Sequence, residues 1–313
     1  MPDFASLLLI LSLAFLFLAS LAPFEALGWW AGWYGDDEEA DSPVNINSNK
    51  DNFVVFLTGI HSVSEETYAR REIRLLDNLK ERLEHSEIIE VFPYSASNRD
   101  LTGERFFSWF WKTALKLKMN RLSLAGLVIN IRNIFQVTVS ADSRYGPIYN
   151  QGMAHSIYQA LLEAGYKKSS KTPITIIGYS GGGQIAVGAA GYLKKITQST
   201  ISVISLGGIL ASEASLLRLE HMHHLIGNKD RVQRLGYIFF PGRWPIIKFS
   251  AWNQAKNKGI INFVDMGPVD HTGKNGYLDG KAILADGRSN FEQTVDVIVE
   301  IIKSDMKTEQ KNR

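Results

Sequence analysis

The sequence predicts an α/β protein, a mostly parallel sheet with helices on both faces, preceded by an N-terminal transmembrane helix. Three observations carry that expectation. Strand signals, beginning with the continuous apolar run at Phe53, alternate with helix signals along the chain, the pattern of a parallel sheet covered by helices on both faces. The stretch "ITIIGYSGGGQIAVGAAGYL" (174–193) switches from a β-branched run to a small-residue helical pattern across a glycine-rich turn. The segment "FASLLLILSLAFLFLASLA" (4–22) holds no charge and is long enough to cross a hydrocarbon core.

Taken in order, residues 1–35 form a hydrophobic anchor ending in an aromatic belt of Trp29, Trp30, Trp33 and Tyr34. A cleaved signal peptide, giving a secreted protein, is the rival reading. It lacks a basic leader, and its best small-residue site runs into Pro23. Residues 36–52, acidic and then polar, read as a linker. Residues 53–313 form the folded domain. "FVVFLTGI" (53–60) is a strand, and 64–83 is an amphipathic helix opened by Ser64 and two early glutamates. "EIIEVFPYS" (87–95) is a second strand. A helix over 145–167, the strand "PITIIG", a helix over 184–196 and strands at 201–208, 223–227 and 259–266 follow. An amphipathic helix over 289–304 closes the domain. One segment breaks the alternation. Residues 98–140 crowd aromatics at Phe106, Phe107, Trp109, Phe110 and Trp111 next to Lys112, Lys116, Lys118 and Arg121. This basic, aromatic pattern suits a lid or a membrane-facing insertion, with 106–121 as a second membrane contact; a helix filling core is the alternative.

Composition excludes several chemistries. The chain of 313 residues has no cysteine, so disulfides, thiolate metal sites and a cysteine nucleophile are absent. A net charge of +2 without a broad cationic stripe gives no reason to expect a nucleic-acid partner. No cofactor is implied. His221, His223 and His224 invite a metal reading, but no carboxylate-rich third-ligand motif accompanies them, so no metal is expected.

The candidate chemistry centres on Ser180. Gly178-Tyr179-Ser180-Gly181-Gly182 fits G-x-S-x-G between a strand and a helix, a turn that lifts a serine hydroxyl clear of its own backbone. Asp230 follows the strand candidate ending at Gly227, and His271 lies in the loop after the last strand. In motif and in the order Ser, Asp, His, the chain from about Phe53 to its end resembles the α/β-hydrolase superfamily of serine esterases and lipases. The resemblance implies Ser180 as nucleophile, His271 as general base and then acid, and Asp230 as the residue orienting the imidazole. Asp265 and Asp270 are rivals for the acid. The resemblance also implies an oxyanion hole from the backbone N–H groups of Gly181 and of Ile60, with His61 as the alternative to Ile60. The expected activity is that of a membrane-anchored serine hydrolase acting on a small-molecule or lipid-like ester. A non-catalytic hydrolase-fold scaffold and other acyl-transfer activities (thioesterase, acyltransferase, amidase) stay open.

Overall fold

The computed structural model describes residues 50–60, 70–94 and 124–312, with scattered positions among the first thirteen. Apart from those scattered positions, the expected anchor, the linker up to Asn49, the start of the first helix and the aromatic–basic run 106–121 lie outside the described residues. No helix among the described residues is long and apolar enough to cross a membrane.

Six parallel strands make one sheet: β1 (Asn52–Leu57), β2 (Ser86–Val91), β3 (Ile174–Tyr179), β4 (Ile201–Leu206), β5 (Met222–Ile226) and β6 (Ile261–Asp265), in the order β2-β1-β3-β4-β5-β6. β1, β3 and β4 are buried along their whole length, which is why they read as predominantly apolar runs. Their side chains alternate between two cores. Phe53, Val55 and Leu57 face one, and Val54 and Phe56 the other.

The first core is closed by α2 (Leu124–Ala141), α3 (Gly146–Glu163) and α4 (Gly181–Thr197), with α6 (Ala251–Asn257) beside them. The second is closed by α1 (Arg70–Arg82) and α7 (Asn290–Asn312). Leu75, Leu76 and Leu79 of α1 are buried against Val295, Ile298 and Ile302 of α7 and the sheet. Each such side chain contributes about 1.5–3 kcal/mol by leaving water. A short helix, α5 (Leu235–Phe239), lies between β5 and α6.

The helix expected over 145–167 stops at Glu163, because Gly165 turns left-handed at φ 88°. Of the segment 98–140, the described part is α2. Its Asn133, Gln136, Val137 and Ser140 are buried, and it packs on α4 as part of the sheet's helical cover. Arg132 is buried beside them and donates from Nη1 to Tyr94 O at 2.9 Å.

The chain leaves β1 for the edge strand β2 and then returns to the other side of β1 as β3. Strand order thus reverses between β1 and β3, the crevice where open α/β sheets place ligands at the carboxyl ends of their strands.

Candidate active site

Ser180 stands at that crevice, between the end of β3 and the first residue of α4. Its backbone has φ 52° and ψ −119°, a conformation that costs a residue with a Cβ about 1–3 kcal/mol. Surrounding contacts hold it there. Ser180 N–H donates to Leu206 O at 2.9 Å, and its carbonyl accepts from Gly183 N–H at 3.0 Å. The glycines make the turn physically feasible. A Cβ on Gly182 would sit 2.5 Å from Leu57 O, so only glycine lets α4 start this close to β1. Ser180 as a whole remains 8% exposed.

The structure brings Ser180 and His271 together. Ser180 Oγ lies 2.8 Å from His271 Nε2, and His271 Nδ1 lies 2.9 Å from Asp230 Oδ2. A carboxylate can only accept, so Nδ1 carries the proton and Nε2 is left to accept from the serine hydroxyl. His271 sits in the loop after β6, where Tyr179 holds it: the phenol donates to His271 O at 3.0 Å, and its ring stacks on the imidazole. Burial pushes the Tyr179 hydroxyl up to about 12, so it stays a donor.

Asp230 follows β5 and is fully buried. Its Oδ1 accepts from the N–H groups of Val232 at 2.9 Å and Gln233 at 3.1 Å, an aspartate-capped turn. Its Oδ2 accepts from His271 and from the Tyr277 hydroxyl at 2.9 Å. Burial alone would raise this carboxyl. The bond and charge of His271, the Gln233 N–H and the Tyr277 hydroxyl outweigh it and hold the group below the usual aspartate value. Tyr277 is itself fixed, since Gly227 N–H donates to its oxygen at 2.8 Å, and its own ionisation is pushed up by burial and by Asp230. Gly207 makes room for this pair. At φ +60°, a Cβ there would lie 2.7 Å from the Tyr277 ring and 2.8 Å from Asp230 Oδ2. The rival acids are elsewhere: Asp265 accepts from Gly267 N–H in its own turn, and Asp270, though next in sequence to His271, is not bonded to its ring.

The loop after β1 supplies the facing wall. Glu72 of α1 is buried and accepts the Thr58 hydroxyl, with Oγ1 at 3.0 and 2.9 Å from its two oxygens, and Gly59 N–H at 3.4 Å. Tyr94 donates to Thr58 O at 2.9 Å and Asn133 to Ile60 O at 2.7 Å. With Gly59 engaged by Glu72, the next N–H is that of Ile60, which meets no acceptor among the described residues. Ile60 adjoins Gly181: its Cγ2 is 2.8 Å from where a Cβ on Gly181 would be. Gly181 opens α4, so its N–H has no partner within the helix. His61 lies outside the described residues.

An open cavity of about 650 Å³ adjoins His271, lined by Asn228, Lys229, Arg231, Val232, Arg234 and Asp270. The three clustered histidines do not share a site. His223 Nε2 faces Asp305 at 3.4 Å, while His224 is buried between Trp252 and Phe263, and that burial pushes it down to about 3. Among the described residues, no group of three His, Asp or Glu side chains converges as a metal site.

Neither Tyr277 nor Tyr179 was marked by the sequence. Tyr179 lies inside the G-x-S-x-G motif at a position where the pattern admits any residue. Tyr277 stands in "GKNGYLDG", a turn-like stretch with no periodicity.

The parallel sheet, the strand-to-helix turn at Ser180 and the chain order Ser180, Asp230, His271 fit an α/β-hydrolase fold. No family model and no curated protein matches the chain. Among solved structures, it is similar to a dienelactone hydrolase from Anabaena variabilis, at 14% identity and a TM-score of 0.40 over 80% of this chain and 85% of that one. It is also similar to the putative cell surface hydrolase from Lactobacillus plantarum, at 12% identity and a TM-score of 0.39 over 84% of this chain and 98% of that one.

Proposed function

We propose that the chain is a serine hydrolase that cleaves a carboxylic ester through an acyl-enzyme on Ser180. The observation that carries the reading is the unbroken run of hydrogen bonds from Ser180 Oγ through His271 to Asp230. Ser180 Oγ attacks the ester carbonyl carbon while its proton passes to His271 Nε2. The charge on the carbonyl oxygen is met by the N–H groups of Gly181 and Ile60. Collapse expels the alcohol, which takes the proton from His271. Water, giving a proton to the same nitrogen, then attacks the acyl carbon and releases the acid and the free serine. Asp230 fixes the imidazole tautomer and stabilises the imidazolium in both halves.

The substrate class is an apolar or lipid-like ester, and the run 4–22 is the element that holds the enzyme at a membrane. A fluorophosphonate probe and p-nitrophenyl esters of short and long acyl chains test the chemistry. Wild type is expected to label and to hydrolyse, and Ser180→Ala to do neither. Equal hydrolysis by both proteins would overturn the mechanism. A folded wild type that never labels would make the chain a binding scaffold.

A further inference from the structure

Between Asp230 and β6 the chain exposes a run of large apolar side chains. Side chains of the segment hold four of its backbone carbonyls. Trp244 Nε1 donates to Tyr237 O at 2.8 Å, Asn253 Nδ2 to Trp244 O at 2.8 Å and to Ile247 O at 2.9 Å, and Gln254 Nε2 to Phe249 O at 2.7 Å. Beneath, Trp252 is buried, with the Arg243 guanidinium 4.0 Å over its ring. The apolar side chains point out. Phe249 is 92% exposed, Ile246 79% and Phe239 65%, with Ile238, Tyr237 and Trp244 beside them in sequence. Slack does not explain this exposure, because side-chain amides pin the carbonyls of the segment. A run of exposed large apolar side chains on a tethered segment marks a surface that meets an apolar environment.

Charge narrows what that environment is. From Lys229 to Lys258 there are seven lysines and arginines and one acid, the buried Asp230, in a chain whose net charge is only +2. Lys229, Arg231, Arg234, Lys248, Lys256 and Lys258 are all exposed. Aromatic and aliphatic tips within a basic border match the boundary of an anionic bilayer, where acyl chains take the apolar groups and headgroups the cations. A second copy of the chain fits less well, since a symmetric contact would face two basic borders.

We propose that residues 235–258 are a docking surface for an anionic lipid bilayer. Arg231 and Arg234 belong both to the basic border and to the lining of the cavity beside His271. Docking therefore brings that cavity to headgroup depth, where an ester of a membrane lipid lies. The surface stands on exposure and charge alone; only its link to the substrate rests on the proposed hydrolase activity.

The chain has no cysteine, so one introduced residue reports locally. Full-length Phe239→Cys, carrying an environment-sensitive fluorophore, is mixed with vesicles of phosphatidylcholine alone or with about 30 mol% phosphatidylglycerol, a content that gives a negative surface potential. Glu84→Cys, in the turn before β2 at the opposite end of the sheet, is the control. The label at 239 is expected to shift blue and to be quenched by spin-labelled acyl chains in anionic vesicles, and the label at 84 to stay in water. Adding Ile246→Asp with Phe249→Asp should weaken the docking equilibrium about tenfold or more. Lys248→Glu with Lys256→Glu, which changes exposed charges only, should remove the preference for anionic lipid. Aqueous emission at 239 with both vesicles, or quenching indifferent to both variant pairs, overturns the proposal. A blue shift that depends on protein concentration without lipid overturns it in favour of self-association. Fluorophosphonate labelling of Ser180 in the same samples separates the readings: docking without labelling sinks the hydrolase, and labelling without docking sinks the surface.

Discussion

Replacing Tyr277 with phenylalanine removes one oxygen and leaves the rest of the side chain in place. In the native structure Asp230 accepts four donors, two on each oxygen, and the Tyr277 hydroxyl is half of the supply to the oxygen that also holds His271. The same hydroxyl accepts the Gly227 N–H, so Tyr277→Phe also strands a buried backbone donor. A hydrogen bond to a charged group is worth about 1.5–3 kcal/mol and a stranded donor costs about 1–3 kcal/mol, so with partial relaxation the loss should be about 2–4 kcal/mol in urea unfolding at pH 7. Reactivity should respond differently. With one donor fewer, Asp230 becomes more basic and holds the imidazolium more tightly. The midpoint of the pH dependence of fluorophosphonate labelling then moves to higher pH, and the plateau rate falls about threefold to thirtyfold as the carboxylate loses a constraint. A purely structural role would lower stability without moving that midpoint. Unfolding within about 0.5 kcal/mol of wild type, together with an unmoved pH profile, refutes the reasoning.

Two other outcomes follow from the geometry. Ser180→Gly and Ser180→Ala should both abolish labelling, yet the glycine variant should be the more stable by about 1 kcal/mol in denaturant unfolding, because only the alanine keeps a Cβ in the strained conformation. Glu213, which accepts from Gln184 Nε2 at 2.9 Å, is pushed by burial up to about 7 from an ordinary 4.5. Its folded form holds a proton that the unfolded form releases, so stability should fall as pH rises from about 4.5 to 7, by up to about 3 kcal/mol. Unfolding of Glu213→Gln at pH 5 and pH 8 checks this: the variant should lack that slope and be the more stable protein at pH 8.

The strands were legible because a strand buried on both faces is mostly apolar, with only small or hydrogen-bonded polar residues such as Thr175 and Ser202; β1, β3 and β4 differ from their forecasts only at the ends. Ser180, Asp230 and His271 were legible because each follows a strand and their chain order is constrained by topology. Tyr277 was not, since a tyrosine in a glycine-rich loop carries no periodic signal and its value lies in a contact 47 residues away. The segment 235–249 was missed for another reason. Its aromatics and isoleucines look like core by composition, and no local pattern says that these side chains face outward. Buried Glu72 and Arg132 were equally unreadable, because a charged residue on a helix is expected to face water unless its partners are known.

The spacing of the site along the chain has a consequence for how the protein comes into being. Ser180 and His271 are 91 residues apart, and His271 and Asp230 are 41 apart, with β4, β5 and β6 threaded between them. A chain emerging from the ribosome therefore presents its serine long before the imidazole that would activate it has been synthesised. Closing those distant contacts carries a loop-closure cost that only the assembled sheet repays. Reactivity should accordingly appear late and all at once, as the last strand and α7 dock. The rate at which a refolding sample gains fluorophosphonate labelling would then time the final step of folding.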